Sequence, residues 1–131
     1  MTYLLDTDTV SYALRGVHDI GRRLLEHSPN EIAISSVTEA ELLYGAKKRN
    51  SSKLKKTIGS FIKPIEVLPF DSAAAASFAD IAVKLEKKGS PLGVTDLMIA
   101  AVAITNDRIL VTNNTKHFNR VTGLKIENWV T

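Results

Sequence analysis

Two rhythms of apolar and polar positions alternate along this chain. Short apolar or β-branched runs at Tyr3 to Asp6, Ile32 to Ser35, Ile65 to Leu68, Ile109 to Thr112 and Leu124 to Glu127 predict strands. Between them, longer patterns predict helices near Thr9 to Arg15, Asp19 to His27, Val37 to Arg49, Lys53 to Ile62, Ser72 to Lys88 and Leu97 to Asn106. Gly89 supplies a C-terminal stop for the long helix of "SAAAASFADIAVKLEKKG". Strand alternating with helix predicts a parallel sheet covered on both faces, which explains why the strands are apolar throughout. With no internal repeat, low-complexity tract or linker, residues 1–131 read as one α/β domain.

In open parallel α/β sheets ligands bind outside the carboxyl ends of the strands, so the residues found there are the candidates for chemistry. The first strand ends on Asp6, with Asp8 shortly after. The second leads through "ISSVTEAELLYG" to Glu39 and Glu41, and the fourth through "ILVTNN" to Asn113 and Asn114. In "GSPLGVTDLMIAAVAI", Asp96 opens a helix that continues with eight uninterrupted apolar residues. Such a helix is buried, so its first turn is expected to face into the protein.

Each of these residues also has a plainer reading. Asp96 can cap its own helix, and Asn114 reads as a turn residue. Ser36 followed by Glu39 has the form of a capping box, which gives Glu39 a structural task and leaves Glu41 without one. Asp8 or Thr7 is expected to cap the helix beginning near Thr9, leaving Asp6 free. His117, Asp71 and Asp80 read as loop, helix-start and solvated-face residues, and Trp129 as a residue that packs the C-terminal tail onto the domain.

Composition removes several classes. Hydrophobic residues at 44% and charged residues at 24% suit a globular fold and exclude disordered and fibrous ones. No apolar stretch reaches membrane-spanning length and no basic region precedes an apolar run at the start, so neither a membrane span nor a signal peptide is expected, and a cytosolic location fits. The absence of cysteine removes disulfides and thiolate zinc sites. The net charge of +3 is mild, but six of the 17 basic residues crowd into "KKRNSSKLKK", positions 47–56. That run reads either as a solvated helix end and loop or as a contact to a phosphate backbone.

The acids matter as a set. Two carboxylates about 5 Å apart repel by about 3 kcal/mol at an effective dielectric near 20. Either one is protonated or a divalent cation sits among them. The three scattered histidines do not read as an imidazole site, and oxygen-only ligands with no Cys or His favour Mg²⁺ or Mn²⁺ over zinc; such an ion can activate water against a phosphate ester. The chemistry these residues point to is phosphodiester hydrolysis.

Taken in order, "YLLDTDTVSY", "ISSVTEAELLYG", "GSPLGVTDLMIAAVAI" and "ILVTNNTKHFNRVTGLKIENW" resemble the landmarks of PIN-domain ribonucleases of the VapC toxin family over essentially the whole chain. The resemblance implies a three-layer α/β/α sandwich around a parallel sheet of four to five strands. It also implies that Asp6, Glu41 and Asp96 are the family's acidic triad, holding Mg²⁺ or Mn²⁺ to cut RNA. Asn114 falls where relatives often carry a fourth catalytic acid. The resemblance further implies a homodimer, a VapB-like antitoxin that blocks the acidic site, and an RNA substrate such as a transfer RNA anticodon loop.

Two other readings compete. "LLDTDTV" also matches the strand end of haloacid dehalogenase-like phosphatases, in which both aspartates act, but the nearest downstream candidate, "LGVTDLMIAA", lacks the Gly-Asp pair that chemistry needs and is preceded by no lysine on a suitable strand. A receiver-like or RNA-binding module without enzymatic activity would use the same fold and basic run, and would leave Glu41 and Asp96 unexplained.

Overall fold

The computed structural model describes residues 1–130. Its strands are β1 (Tyr3–Leu5), β2 (Ile32–Ser35), β3 (Glu66–Leu68), β4 (Ile109–Val111) and β5 (Ile126–Glu127). The helices are α1 (Thr7–Arg15), α2 (Ile20–Leu25), α3 (Ser36–Lys48), α4 (Ser52–Ile62), α5 (Ser72–Lys87), α6 (Val94–Thr105) and α7 (Thr115–Phe118), and a 3-10 turn covers Pro29–Glu31. All five strands are parallel, in the order β3-β2-β1-β4-β5.

Side-chain alternation along the strands divides the core into two layers. Leu4, Ala33, Leu68 and Leu110 face a cluster completed by Leu85 of α5, Leu97 and Ile99 of α6, and Phe118 of α7. Tyr3, Leu5, Ile32, Ile34, Ile109 and Val111 face the other side, where Val10, Ile20, Leu42 and Ile58 arrive from α1 to α4. The result is the expected three-layer α/β/α sandwich, with five strands. Trp129 is buried in the second layer, edge-on to Tyr3 and stacked with His27, and so packs the tail onto the domain as anticipated.

Strand order places the site. From β1 the chain moves to β2 and β3 on one side, then returns to β4 and β5 on the other. The order therefore reverses between β1 and β4, and in open parallel sheets the carboxyl ends flanking such a switch point are where ligands bind. Asp6 follows β1 there, and Thr112 to Asn114 follow β4.

Element ends moved by up to three residues, and the reasons are local. β1 stops at Leu5 because Asp6 is itself the N-cap of α1: its carboxylate accepts from the Thr9 N–H at 2.9 Å. The expectation that Asp8 or Thr7 would cap this helix is thus corrected, since both lie inside its first turn. The expected capping box at Ser36 and Glu39 is absent. Ser35 caps α3, accepting from the Thr38 N–H at 3.0 Å, while the Ser36 hydroxyl accepts from the Phe70 N–H. A capping box occurs instead at Ser28 and Glu31. Helix α6 starts at Val94 behind Gly93, so Asp96 sits within the first turn and does not cap it. Asp71 caps α5 as expected, and Gly89, at φ +68°, ends that helix in the left-handed conformation glycine adopts freely.

Candidate active site at the switch point

Asp6 is the most constrained of the acids. It is only 5% exposed, its backbone N–H donates to the Val111 carbonyl at 3.1 Å, and the Thr9 hydroxyl donates to that same carbonyl. Burial pushes the Asp6 carboxyl above the usual carboxylate range, against hydrogen bonds from Thr112 and Thr9, and neighbouring Asp8 pushes it further up. Among the described residues no Lys, Arg or His forms an ion pair with Asp6 or with Glu41.

Glu41 reaches the same region from α3. Thr7, the residue after Asp6, donates its hydroxyl proton to Glu41 Oε1 at 2.6 Å, and its oxygen lies 3.1 Å from the Thr38 hydroxyl. Glu39 makes no side-chain hydrogen bond among the described residues. Glu41 is therefore distinguished from Glu39 by this contact, and not by the capping argument.

Asp96 is held differently. His117 Nε2 lies 3.0 Å from Asp96 Oδ2. His117 is a residue of α7 and not of a loop as its sequence context predicts. The sequence does carry a signal for it: in "TNNTKHF" the histidine directly precedes Phe118, an apolar anchor four residues beyond the strand-end asparagines. Asn114 is exposed and starts α7 without a side-chain capping bond, while its N–H donates to the Thr112 hydroxyl at 3.0 Å.

As they stand, the described side chains include no group of three or more Asp, Glu or His converged on one metal position. The structure joins Thr7 to Glu41 beside Asp6, and joins Asp96 to His117. The donor chemistry nonetheless fits a hard divalent cation: the acids supply only oxygens, and Asp6 is a buried carboxylate lacking the cationic partner such a group ordinarily requires.

Two surface features flank these residues. A groove of about 360 Å³ runs between α1, α3 and α4, lined by Thr7, Asp8 and Glu41 together with Arg15 and Arg49. A larger depression of about 560 Å³ lies on the outside of α3 and α4, where Leu43 and Tyr44 stand 42% and 65% exposed beside Lys47 and Lys55. The phosphatase reading needs Asp8 working next to Asp6 on one substrate. Asp8 is exposed in the helix while Asp6 is buried and capping, which disfavours it.

A parallel sheet of this order, with Asp6 at the end of its central strand and Glu41 tied to the next residue, defines an α/β domain with an acidic candidate site beside its switch point. The PIN domain family matches residues 3–124, and the chain belongs to it. Within that family, the tRNA(fMet)-specific endonuclease VapC of Salmonella typhimurium is 34% identical over 130 residues, covering 98% of each chain. Ribonuclease VapC2 of Rickettsia felis is 36% identical over 132 residues, again covering 98% of each. The chain is a member of the VapC ribonucleases. A chain in the crystal structure of VapBC2 from Rickettsia felis, bound to a DNA fragment from their promoter, superposes with a TM-score of 0.92 at 34% identity, covering 98% of this chain and 99% of that one.

Proposed function

We propose that this chain is a metal-dependent endoribonuclease, the toxin of a toxin–antitoxin pair, which hydrolyses phosphodiester bonds in RNA. Asp6, Glu41 and Asp96 hold Mg²⁺ or Mn²⁺, and Asn114 stands at the rim of the site. The observation that carries this reading is the buried Asp6 carboxylate at the β1/β4 switch point, without a basic partner, in a chain similar over its full length to VapC ribonucleases.

The ion, when bound, activates water and neutralises charge building on the phosphate. The chain's own residues do the positioning. The Thr9 N–H fixes the Asp6 carboxylate, and the Thr7 hydroxyl fixes that of Glu41. Asp96 lies in the first turn of α6, where the helix dipole favours negative charge. Arg15 and Arg49, in the groove that reaches Glu41, receive backbone phosphates of the RNA on either side of the bond that is cut. Asn114 offers an amide where a further acid would repel the substrate.

The substrate we assign is transfer RNA, in keeping with the name of the Salmonella relative. The partner we assign is a VapB-like antitoxin seated in the depression beside Leu43 and Tyr44, and the unit a homodimer; the similarity to a VapBC complex supports the antitoxin.

The test is incubation of the purified chain with transfer RNA and with unrelated RNA, in Mg²⁺, in Mn²⁺ and in EDTA, followed by sequencing of the RNA ends. Cleavage at a defined position that stops on chelation is expected. Cleavage that survives complete chelation overturns the metal assignment, and intact RNA in every condition overturns the nuclease.

A further inference from the structure

The Asp96–His117 pair crosses 21 positions of sequence and is held from both sides. Each member directly precedes a buried apolar residue of the same core cluster: Leu97 after Asp96, 6% exposed, and Phe118 after His117, 1% exposed. These anchors set the backbones on which the two polar side chains stand. The His117 ring meets the Phe118 ring edge-on at 5.4 Å, which further limits its rotation. The side chains are 40% and 23% exposed for Asp96 and His117, so the pair is partly shielded and is not a loose surface contact. A carboxylate only accepts, so the His117 nitrogen facing it carries the hydrogen. The other oxygen of Asp96, Oδ1, has no hydrogen-bond partner among the described residues.

From this geometry we infer that His117 is a positioning residue of the metal site: its Nε2–H occupies Asp96 Oδ2 and leaves Oδ1 as the oxygen available to the cation. The inference rests on the reading of Asp96 as a ligand. The physical reason is that a carboxylate two residues into a helix rotates freely about its side-chain bonds unless one oxygen is tethered, and the entropy of fixing it is then lost on ion binding. Groups that orient metal ligands through hydrogen bonds typically contribute tenfold or more to affinity. Neither Asp6 nor Glu41 needs such help from a histidine, because the Thr9 N–H already holds the first and the Thr7 hydroxyl the second.

The experiment is Mn²⁺ binding to the full-length chain, followed by electron paramagnetic resonance of the free ion, with no RNA present. Wild type is compared with His117→Ala, His117→Gln, Asp96→Asn and Asp6→Asn. We expect His117→Ala to weaken binding about tenfold. His117→Gln, whose amide N–H donates from close to the position of Nε2, should recover most of that loss, and the melting temperature without metal should match wild type in both. Asp96→Asn and Asp6→Asn should lose binding. If they do and His117→Ala binds as tightly as wild type or more tightly, or if Gln restores nothing, the positioning role of His117 is wrong while the metal site stands. If Asp96→Asn binds Mn²⁺ unchanged, Asp96 is not a ligand and both readings fall.

Discussion

The Thr7 hydroxyl donates to Glu41 Oε1 at 2.6 Å, joining the first turn of α1 to the middle of α3 across 34 positions of sequence. Thr7 adjoins Asp6, so this one bond ties a carboxylate carried by α3 to the carboxyl end of the central strand β1. A neutral hydroxyl does so without cancelling the charge of Glu41, as a lysine or arginine in its place would.

Removing that tether should disturb Glu41 specifically. Thr7→Val keeps the shape and deletes the donor, and is expected to slow RNA cleavage about tenfold, the range for groups that orient a ligand. Glu41→Gln should abolish cleavage with the melting temperature nearly unchanged, whereas Glu39→Gln should do little. Cleavage rates of the purified variants at fixed Mg²⁺ decide it, and an equal loss in the two Glu→Gln variants would show that the roles of Glu39 and Glu41 are wrongly divided.

Asp6 and Asp8 make a second pair with opposite fates. Asp6→Asn should remove detectable cleavage, because an amide lacks the charge that holds a cation. The cap of α1 should survive, since Asn caps about as well as Asp. Asp8→Asn should retain most activity, because Asp8 is exposed and ties nothing in place. A dead Asp8→Asn enzyme, or a covalent phosphate on Asp6, would restore the phosphatase reading.

The raised pKa of Asp6 sets the sign of a stability experiment. Its folded-state value lies above the unfolded one because burial penalises the charged form, so the ionised carboxylate disfavours the fold at pH above the folded value. That penalty disappears as pH falls through the folded value and then the unfolded one. In EDTA, Asp6→Asn should therefore melt at or above wild type at pH 7, and the difference should close under acid conditions. Added Mg²⁺ or Mn²⁺ should raise the wild-type melting temperature and leave Asp6→Asn unmoved, since a ligand stabilises only the state that binds it. Thermal scans across pH, with and without the ion, check both signs.

Arg15 and Arg49 line one groove with Glu41, so their contribution to RNA binding should be electrostatic. With the cleavage-silent Asp6→Asn background, single Arg→Ala changes at these positions should weaken RNA binding at low salt. Each should also reduce the slope of log affinity against log salt by about 0.7, the value for one phosphate contact on a single strand. Unaltered slopes in both variants would place the RNA elsewhere.

What the sequence determined by itself is the layered α/β/α fold and the short set of candidate acids at the strand and helix ends, because both rest on local pattern. Buried strands must be apolar on both faces, the apolar run after Asp96 can only be a core helix, and a carboxylate leaving an apolar strand at Asp6 stands out against its surroundings. Even the tail was legible, since a lone Trp129 near the end has few roles besides packing. What only the tertiary structure decided is which polar groups meet. Ser35 and Ser36 are equivalent in the sequence; Ser35 becomes the cap of α3 because Ser36 is claimed by the Phe70 N–H arriving from the loop after β3. Asp6 is both cap and buried acid, and the pairings of Thr7 with Glu41 and of His117 with Asp96 depend on β1 lying between β2 and β4. Strand order is a property of long-range hydrogen bonding and of how two apolar layers close over the sheet, and no window of neighbouring residues contains it.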